Sequence, residues 1–522
     1  MHYKPVVLVV LDGWGLGTNA KGNAIAEAKL PTIDKLNSFY PHTALQASGI
    51  SVGLPWGEVG NSEVGHITLG AGKIIYQSMP RITMAVQNGE FFINKGFLKS
   101  IEKAKEKKSA LHIMGLASKG SVHSYIGHLY ALLEIMRDQK MDNVFLHIFT
   151  DGRDSSPTSG AEVIQEIQKK LTMYKVGKIA TLSGRYFAMD RNNNWDRIKK
   201  SYDAMVSGIG EPIDDPGTYL KQSYAKNVFD EYLEPGVVME NGRPVATIQD
   251  HDSVIFFNFR EDRARQLTEA FSLPGFSKFE RKQVQDLDFV TMTQYEDGLP
   301  VAVAFPPEKV KHPLGSIVSA ADLYQLRIAE TEKFAHVTYF FNGGAEEPYP
   351  REDRMIVPSL TTDSFAKVPE MSAKEITAKV IGALDQNKYD FILINYANAD
   401  IVAHTGDEAA TVKAVEAIDA NLAELIPAVL AKNGCLLITA DHGNAEELKN
   451  TLTGEPDTEH SVNPVPLWFV TSENHCKDAC PTSADDIDAA GLLSDVAPTV
   501  LELMGLPKSP EMNGESLLDV LK

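Results

Sequence analysis

The sequence predicts an α/β protein with two mainly parallel sheets, in which one domain is interrupted by the insertion of another. Short, β-branched apolar runs recur along the 522 residues and stop abruptly in polar clusters, the signature of strands buried on both faces of a sheet. Helical patterns such as Thr411 to Leu430 lie between them, as crossovers between parallel strands require. The polar residues that follow the runs are of one kind at the two ends of the chain and of another kind in the middle.

The elements follow in order. Val6-Val-Leu-Val-Val-Leu11 runs into Asp12-Gly-Trp-Gly. The stretch Pro55 to His66, PWGEVGNSEVGH, sets Ser62 between Gly60 and Gly65; glycines permit close backbone approach, so this loop can present a hydroxyl. Its second glycine comes one residue too late for the G-x-S-x-G elbow, and a surface turn is the plain alternative. Gly70-Ala-Gly-Lys73 closes the first segment as a candidate hinge.

In the middle, Leu111 to Met114 leads through a Gly/Ser loop to His123, and Val144 to Phe149 ends in Thr-Asp-Gly-Arg153-Asp154. Ile179 to Leu182 ends in Ser-Gly-Arg185, with Arg191 beyond, and Val254 to Phe257 ends in Asn-Phe-Arg260-Glu-Asp-Arg263. The proline-rich Leu299 to Pro313 is the second candidate hinge. Past it, Phe391 to Ile394 runs toward Asp400, and Cys435 to Thr439 runs into Asp441-His442. Ligand groups in open α/β sheets gather at the carboxyl ends of strands. The expected division is a discontinuous domain, 1–76 with 311–522, around an insert of 77–310, which is domain-sized.

Composition narrows the function. Hydrophobic content of 43% and charged content of 23% suit a globular protein. A net charge of −20 argues against a nucleic-acid partner, which needs a basic face. No apolar run is long enough for a signal core or membrane span. Three cysteines, Cys435, Cys476 and Cys480, fit a reducing compartment, so the expected location is the cytoplasm. His475-Cys476 with Cys480 reads as a polar surface loop rather than a metal site.

Asp400 and His404 stand four residues apart, so a helical turn there would put both on one face. With Asp441, His442, His460 and Asp12 they offer oxygen and imidazole ligands for two divalent ions, favouring Mn²⁺, Zn²⁺ or Mg²⁺. Taken singly, each Asp could be a cap and each His a core residue. A pair of ions about 4 Å apart can hold a phosphoryl group and activate a hydroxyl, which would give Ser62 a purpose. Arginine-rich strand ends in so acidic a chain suit a substrate carrying phosphate and carboxylate, since guanidinium pairs with both bidentately. Arg81, Arg137 and Arg351 are read as surface, and His112, His128, His147 and His251 as structural.

VLVVLDGWG, GEVGNSEVGHITLGAG, HIFTDGRDSSP, SGRYFAMDRNNNWDR, FFNFREDRARQL, NYANADIVAHTG, TADHGNAE and EHSVNPVP occur in that order. Together they resemble the cofactor-independent phosphoglycerate mutases of the alkaline phosphatase superfamily, nearly end to end. The resemblance implies one ion on Asp12, Ser62, Asp441 and His442, and a second on Asp400, His404 and His460, commonly Mn²⁺. It implies substrate binding by His123, Arg153, Asp154, Arg185, Arg191, Arg260 and Arg263, and a lysine, Lys333, against the transferred phosphoryl. Asp154 is the candidate acid/base, and Ser62 the phosphoryl carrier between 3-phosphoglycerate and 2-phosphoglycerate. A monomer whose insert closes over the phosphoserine is expected. The rivals are a phosphatase or sulfatase of the same superfamily, a phosphopentomutase, and a catalytically silent metal-binding scaffold.

Overall fold

A computed structural model describes residues 3–18, 21–450, 453–475 and 489–521; Cys476 and Cys480 lie outside these. The chain forms two compact units, Met1–Gln77 with Glu308–Lys522, and Ser78–Pro307. No helix among the described residues is long and apolar enough to cross a membrane.

The first unit is built on an eight-stranded sheet in the order Glu352–Val357, Gln325–Glu330, Phe391–Tyr396, Val6–Leu11, Cys435–Thr439, Val465–Val470, His42–Gln46 and Ala489–Leu492. The first five strands are mutually parallel, and Val465–Val470 runs antiparallel to both of its neighbours. Val6–Leu11 is the central strand. All six of its residues are fully buried, each contributing roughly 1.5–3 kcal/mol of burial. Its register sets the site: Leu11 pairs with Tyr396 and Val10 with Thr439, so Asp12, Asp400 and Asp441 leave three adjacent strands at one edge.

The second unit carries the other sheet, in the order Ala302–Phe305, Asp288–Thr293, Ser253–Phe256, Leu111–Leu116, Val144–Thr150, Lys178–Gly184, Gly236–Glu240 and Glu211–Ile213. Its first six strands are parallel and Gly236–Glu240 is antiparallel to Lys178–Gly184. The two mainly parallel sheets with packed helices are the expected fold class.

Two local expectations differ from what is found. Ser62 is not in a flexible loop or a surface turn: it is the buried first residue of the helix Ser62–Ala71, capped by Asn61, whose side chain accepts from Val64 N. Gly65 is required for close approach, since a Cβ there would lie 2.6 Å from the Asp441 carbonyl oxygen. Gly70 is buried inside the same helix, where a Cβ would meet the Phe341 carbonyl oxygen, and the chain passes between units after Gln77.

Candidate active site

At the carboxyl edge of the first unit's sheet, Asp12 Oδ1 accepts from Ser62 Oγ at 3.1 Å and from Lys333 Nζ at 2.6 Å. Lys333, in the turn Thr331–Lys333 after the strand Gln325–Glu330, also donates to Ser62 Oγ at 2.7 Å and Asp400 Oδ2 at 2.6 Å. Ser62 Oγ lies 2.9 Å from His442 Nε2. Asp400 and His404 are brought together by the short helix Asn398–Ala403, with Asp400 Oδ1 3.2 Å from His404 Nε2 and 3.3 Å from His460 Nε2.

The imidazoles are oriented by their far nitrogens. His404 Nδ1 faces the Thr458 carbonyl at 2.8 Å, His460 Nδ1 the Gly60 carbonyl at 2.7 Å, and His442 Nδ1 the Gly443 carbonyl at 3.2 Å. Carbonyls only accept, so each Nδ1 carries the hydrogen and each Nε2 is left to bind a proton or a cation. His404 Nε2 and His460 Nε2 nevertheless approach to 3.1 Å. In addition, Asp441 Oδ2 is buried without a hydrogen-bond partner among the described residues: His66 Nδ1 is 3.1 Å away, but its hydrogen is directed to the Ser62 carbonyl. Converging imidazole nitrogens with backbone-anchored far sides, and an orphaned carboxylate oxygen, are a donor set that fits divalent cations. Asp12, Asp441 and His442 each offer a ligand atom within 4.8 Å of the others, as do Asp400, His442 and His460. His442 thus faces both groups.

Charge is concentrated here. Burial raises the carboxyl of Asp12 and that of Asp400, but the Lys333 ammonium, together with His442 at Asp12 and with His404 and His460 at Asp400, more than offsets it and holds both well below the usual range. Burial lowers the Lys333 amine, and Asp12 with Asp400 more than reverse this. His442, despite burial, is pushed up to about 10 by Asp441 and Asp12, and the bond to Asp400 raises His404. Sequence reasoning missed Asn395, whose Nδ2 donates to Asp12 Oδ2 at 2.7 Å, and Glu446. Asn395 lies within a buried strand, Phe391–Tyr396, where nothing in the pattern marks it.

In the second unit the strand ends gather the arginines. Arg185 is buried, and its Nη1 donates to Asp151 Oδ1 and Asp154 Oδ2, both at 2.6 Å. Asp151 also accepts from Ser118 Oγ and from the backbone of Arg153 and Asp154, so it shapes the loop carrying them. That residue was also missed, although it directly follows its strand. Asp262 Oδ2 accepts from Arg191 at 2.6 Å, and its Oδ1 is 3.3 Å from Arg260 Nε and 3.4 Å from His123 Nδ1. Arg153 reaches Glu231 at 3.5 Å, and Arg263 donates to the Met189 carbonyl. Burial lowers Arg263, and the fields of Arg191, Arg185 and Arg153 add to this; burial and Arg185 push His123 down to about 4. All five guanidiniums and His123 therefore share one neighbourhood suited to an anion.

The arginines and histidines set aside have ordinary places. Arg137 pairs with Glu134 and Asp138, Arg351 with Asp322, and Arg81 donates to the Pro306 carbonyl. His112 and His147 are buried and bonded to each other at 2.9 Å, His128 is buried against Thr83, and His251 is exposed beside Asp286.

Residues 82–297 match the family described as BPG-independent PGAM N-terminus. A 2,3-bisphosphoglycerate-independent phosphoglycerate mutase of Clostridium perfringens is 50% identical over 520 residues, 99% of this chain and 100% of that one. One of Chloroflexus aurantiacus is 46% identical over 537 residues, with 99% and 98% covered. A structure of Leishmania mexicana phosphoglycerate mutase at low cobalt concentration is 31% identical with a TM-score of 0.52, covering 99% of this chain and 98% of that one. Likeness of this degree over whole chains has one meaning: the chain belongs to the family of 2,3-bisphosphoglycerate-independent phosphoglycerate mutases.

Proposed function

We propose that the protein interconverts 3-phosphoglycerate and 2-phosphoglycerate, with Ser62 as the transient phosphoryl carrier and without 2,3-bisphosphoglycerate. The observation that carries this is a buried serine hydroxyl held within hydrogen-bonding distance of a lysine, a carboxylate and an imidazole. Asp12, Ser62, Asp441 and His442 would hold one divalent ion and Asp400, His404 and His460 another. When bound, such ions supply Lewis acidity that favours the serine alkoxide and offsets charge on the phosphoryl oxygens.

Ser62 Oγ, its proton passing to Asp12 Oδ1 toward which it is directed at 3.1 Å, forms a bond to phosphorus as the bond from phosphorus to the 3-oxygen of glycerate breaks. That oxygen gains a proton, for which Asp154 is the donor, and the phosphoserine carries the phosphoryl. In the return step Asp154 takes the proton of the 2-hydroxyl, the 2-oxygen bonds phosphorus, and Ser62 Oγ is released and recovers its proton from Asp12. Lys333 stays protonated beside Ser62 and meets charge developing there. Arg153, Arg185, Arg191, Arg260, Arg263 and His123 bind the substrate's anionic groups and keep glycerate from leaving. Trapping matters because an exposed phosphoserine would be lost to water.

Manganese is the proposed ion, on the oxygen and imidazole donor set; a monomer in the cytoplasm, with no nucleic-acid or membrane partner, is the proposed setting, in keeping with the acidic charge. The test is a coupled assay for 2-phosphoglycerate formation with Mn²⁺, with and without added 2,3-bisphosphoglycerate. Activity that demands the bisphosphate, or free phosphate as the main product, would overturn the proposal.

A further inference from the structure

The ligand-bearing loops of the first unit meet on one side chain. Glu446 is 2% exposed, and no lysine or arginine pairs with it among the described residues. Instead its carboxylate takes four neutral donors. Oε2 accepts from Gly15 N and Asn444 N, both at 2.9 Å, and Oε1 accepts from Ser461 Oγ and from Asn463 Nδ2 at 3.0 Å. These donors belong to three segments: the one that follows Asp12, the one that follows Asp441 and His442, and the one that follows His460.

The packing is as specific as the bonding. A Cβ at Gly15 would lie 2.3 Å from Glu446 Cδ, and one at Gly443 would lie 2.4 Å from Oε1. The same loops are joined nearby by Ala445 N to the Gly13 carbonyl at 3.0 Å, Ser461 N to the Gly443 carbonyl at 3.0 Å, and Asn444 Nδ2 to Asp400 Oδ1 at 2.8 Å. A buried carboxylate satisfied by donors from several loops fixes their spacing, because releasing any one donor leaves a charged acceptor short in a dry interior.

We propose that Glu446 is a positioning residue for both candidate ion groups, setting the separation of Asp12, Asp441, His442 and His460 without touching an ion itself. This rests on the metal-binding reading above. Outer partners of ligating groups typically change metal affinity 10–100-fold when altered.

Mn²⁺ titration calorimetry on the purified, chelated full chain tests this. Glu446→Gln keeps the volume but turns an NH₂ toward donors, so Mn²⁺ dissociation constants should weaken at least tenfold, and saturating Mn²⁺ should restore kcat with the KM for 3-phosphoglycerate nearly unchanged. Ser461→Ala removes one donor and keeps the variant testable if the first fails to fold; it should weaken Mn²⁺ binding at least threefold. A folded variant that binds Mn²⁺ within twofold of the parent, whatever its melting temperature, would overturn the inference alone. A parent chain that binds no Mn²⁺ would overturn the metal reading and this inference with it.

Discussion

Lys333 allows a prediction whose sign is opposite for stability and for metal affinity. Its ammonium is buried and bonds Asp12 Oδ1 and Asp400 Oδ2 at 2.6 Å. Lys333→Met keeps the length of the chain but leaves two carboxylates without their cation. Removing one partner of a buried pair costs about 3–5 kcal/mol. For a unit of this size each kcal/mol moves the midpoint by about 2 °C, so the chelated variant should melt about 6–10 °C lower than the chelated parent. With Mn²⁺ present, the cations face the same carboxylates, and the drop should be less than half as large. The thermodynamic cycle then requires the variant to bind Mn²⁺ more tightly by the difference, about 2–3 kcal/mol, or about 30–150-fold in affinity. Activity should move the other way: losing a preorganised donor at the reacting oxygen costs about 10²–10³ in kcat. Scanning calorimetry with chelator and with Mn²⁺, a Mn²⁺ titration and the coupled assay read the three. Equal melting losses in both conditions, with unchanged Mn²⁺ affinity, would refute the electrostatic account of Lys333.

Further outcomes follow from the same geometry. Ser62→Ala should abolish 2-phosphoglycerate formation while Mn²⁺ still binds through the carboxylates and imidazoles; normal turnover would rule out the covalent route. His442, pushed up to about 10, and His404, also raised, hold protons that ions must displace, so Mn²⁺ affinity should rise with pH. Calorimetry in buffers of different ionisation enthalpy should show proton release near neutrality, and activity lost below about pH 6.5 should return with excess Mn²⁺. In the other unit, burial pushes His128 down to about 4 from 6.5. The unfolded chain therefore binds more protons between these values, and stability present above pH 6.5 is lost as pH falls toward 4. The contribution is about 3 kcal/mol at 1.36 kcal/mol per pH unit. His128→Gln should remove that part of the acid sensitivity in urea melts, and identical pH slopes would count against it.

The architecture was legible where burial dictates composition. Val6–Leu11, Phe391–Tyr396 and Cys435–Thr439 are apolar and rich in branched side chains because each is covered on both faces, and an Asp just past such a run declares the strand's end. Val465–Val470, antiparallel to both of its neighbours, and His42–Gln46 beyond it carry no comparable marker. Ser62 was misplaced in a loop because glycines suggest turns, whereas Asn61 before Ser62-Glu63 is an N-cap signal that outweighs them. Residues that act on other residues were the least visible. Asn395, Asp151 and Glu446 each have a partner far along the chain, 383, 34 and 431 positions away, and only folding brings such pairs together.

The bonds around Ser62 also bear on how the proposed site would exchange protons for ions. With His442 Nδ1 committed to the Gly443 carbonyl, a protonated His442 has its Nε2 hydrogen left to donate, with Ser62 Oγ at 2.9 Å nearer than Asp12 Oδ1 at 3.5 Å, and Lys333 donates to the same serine oxygen. The hydroxyl hydrogen then goes to Asp12 Oδ1, which Lys333 and His442 together keep ionised. The serine oxygen thus sits between two positive charges, with its hydrogen directed at a carboxylate, a polarisation toward alkoxide built from protein groups alone. A cation held by His442, Asp12 and Asp441 would replace the imidazolium proton by a charge in the same direction. Because proton and ion would compete for Nε2 and only the ion would leave the imidazole neutral, the pH dependence of Mn²⁺ binding and that of phosphoryl transfer should share one origin.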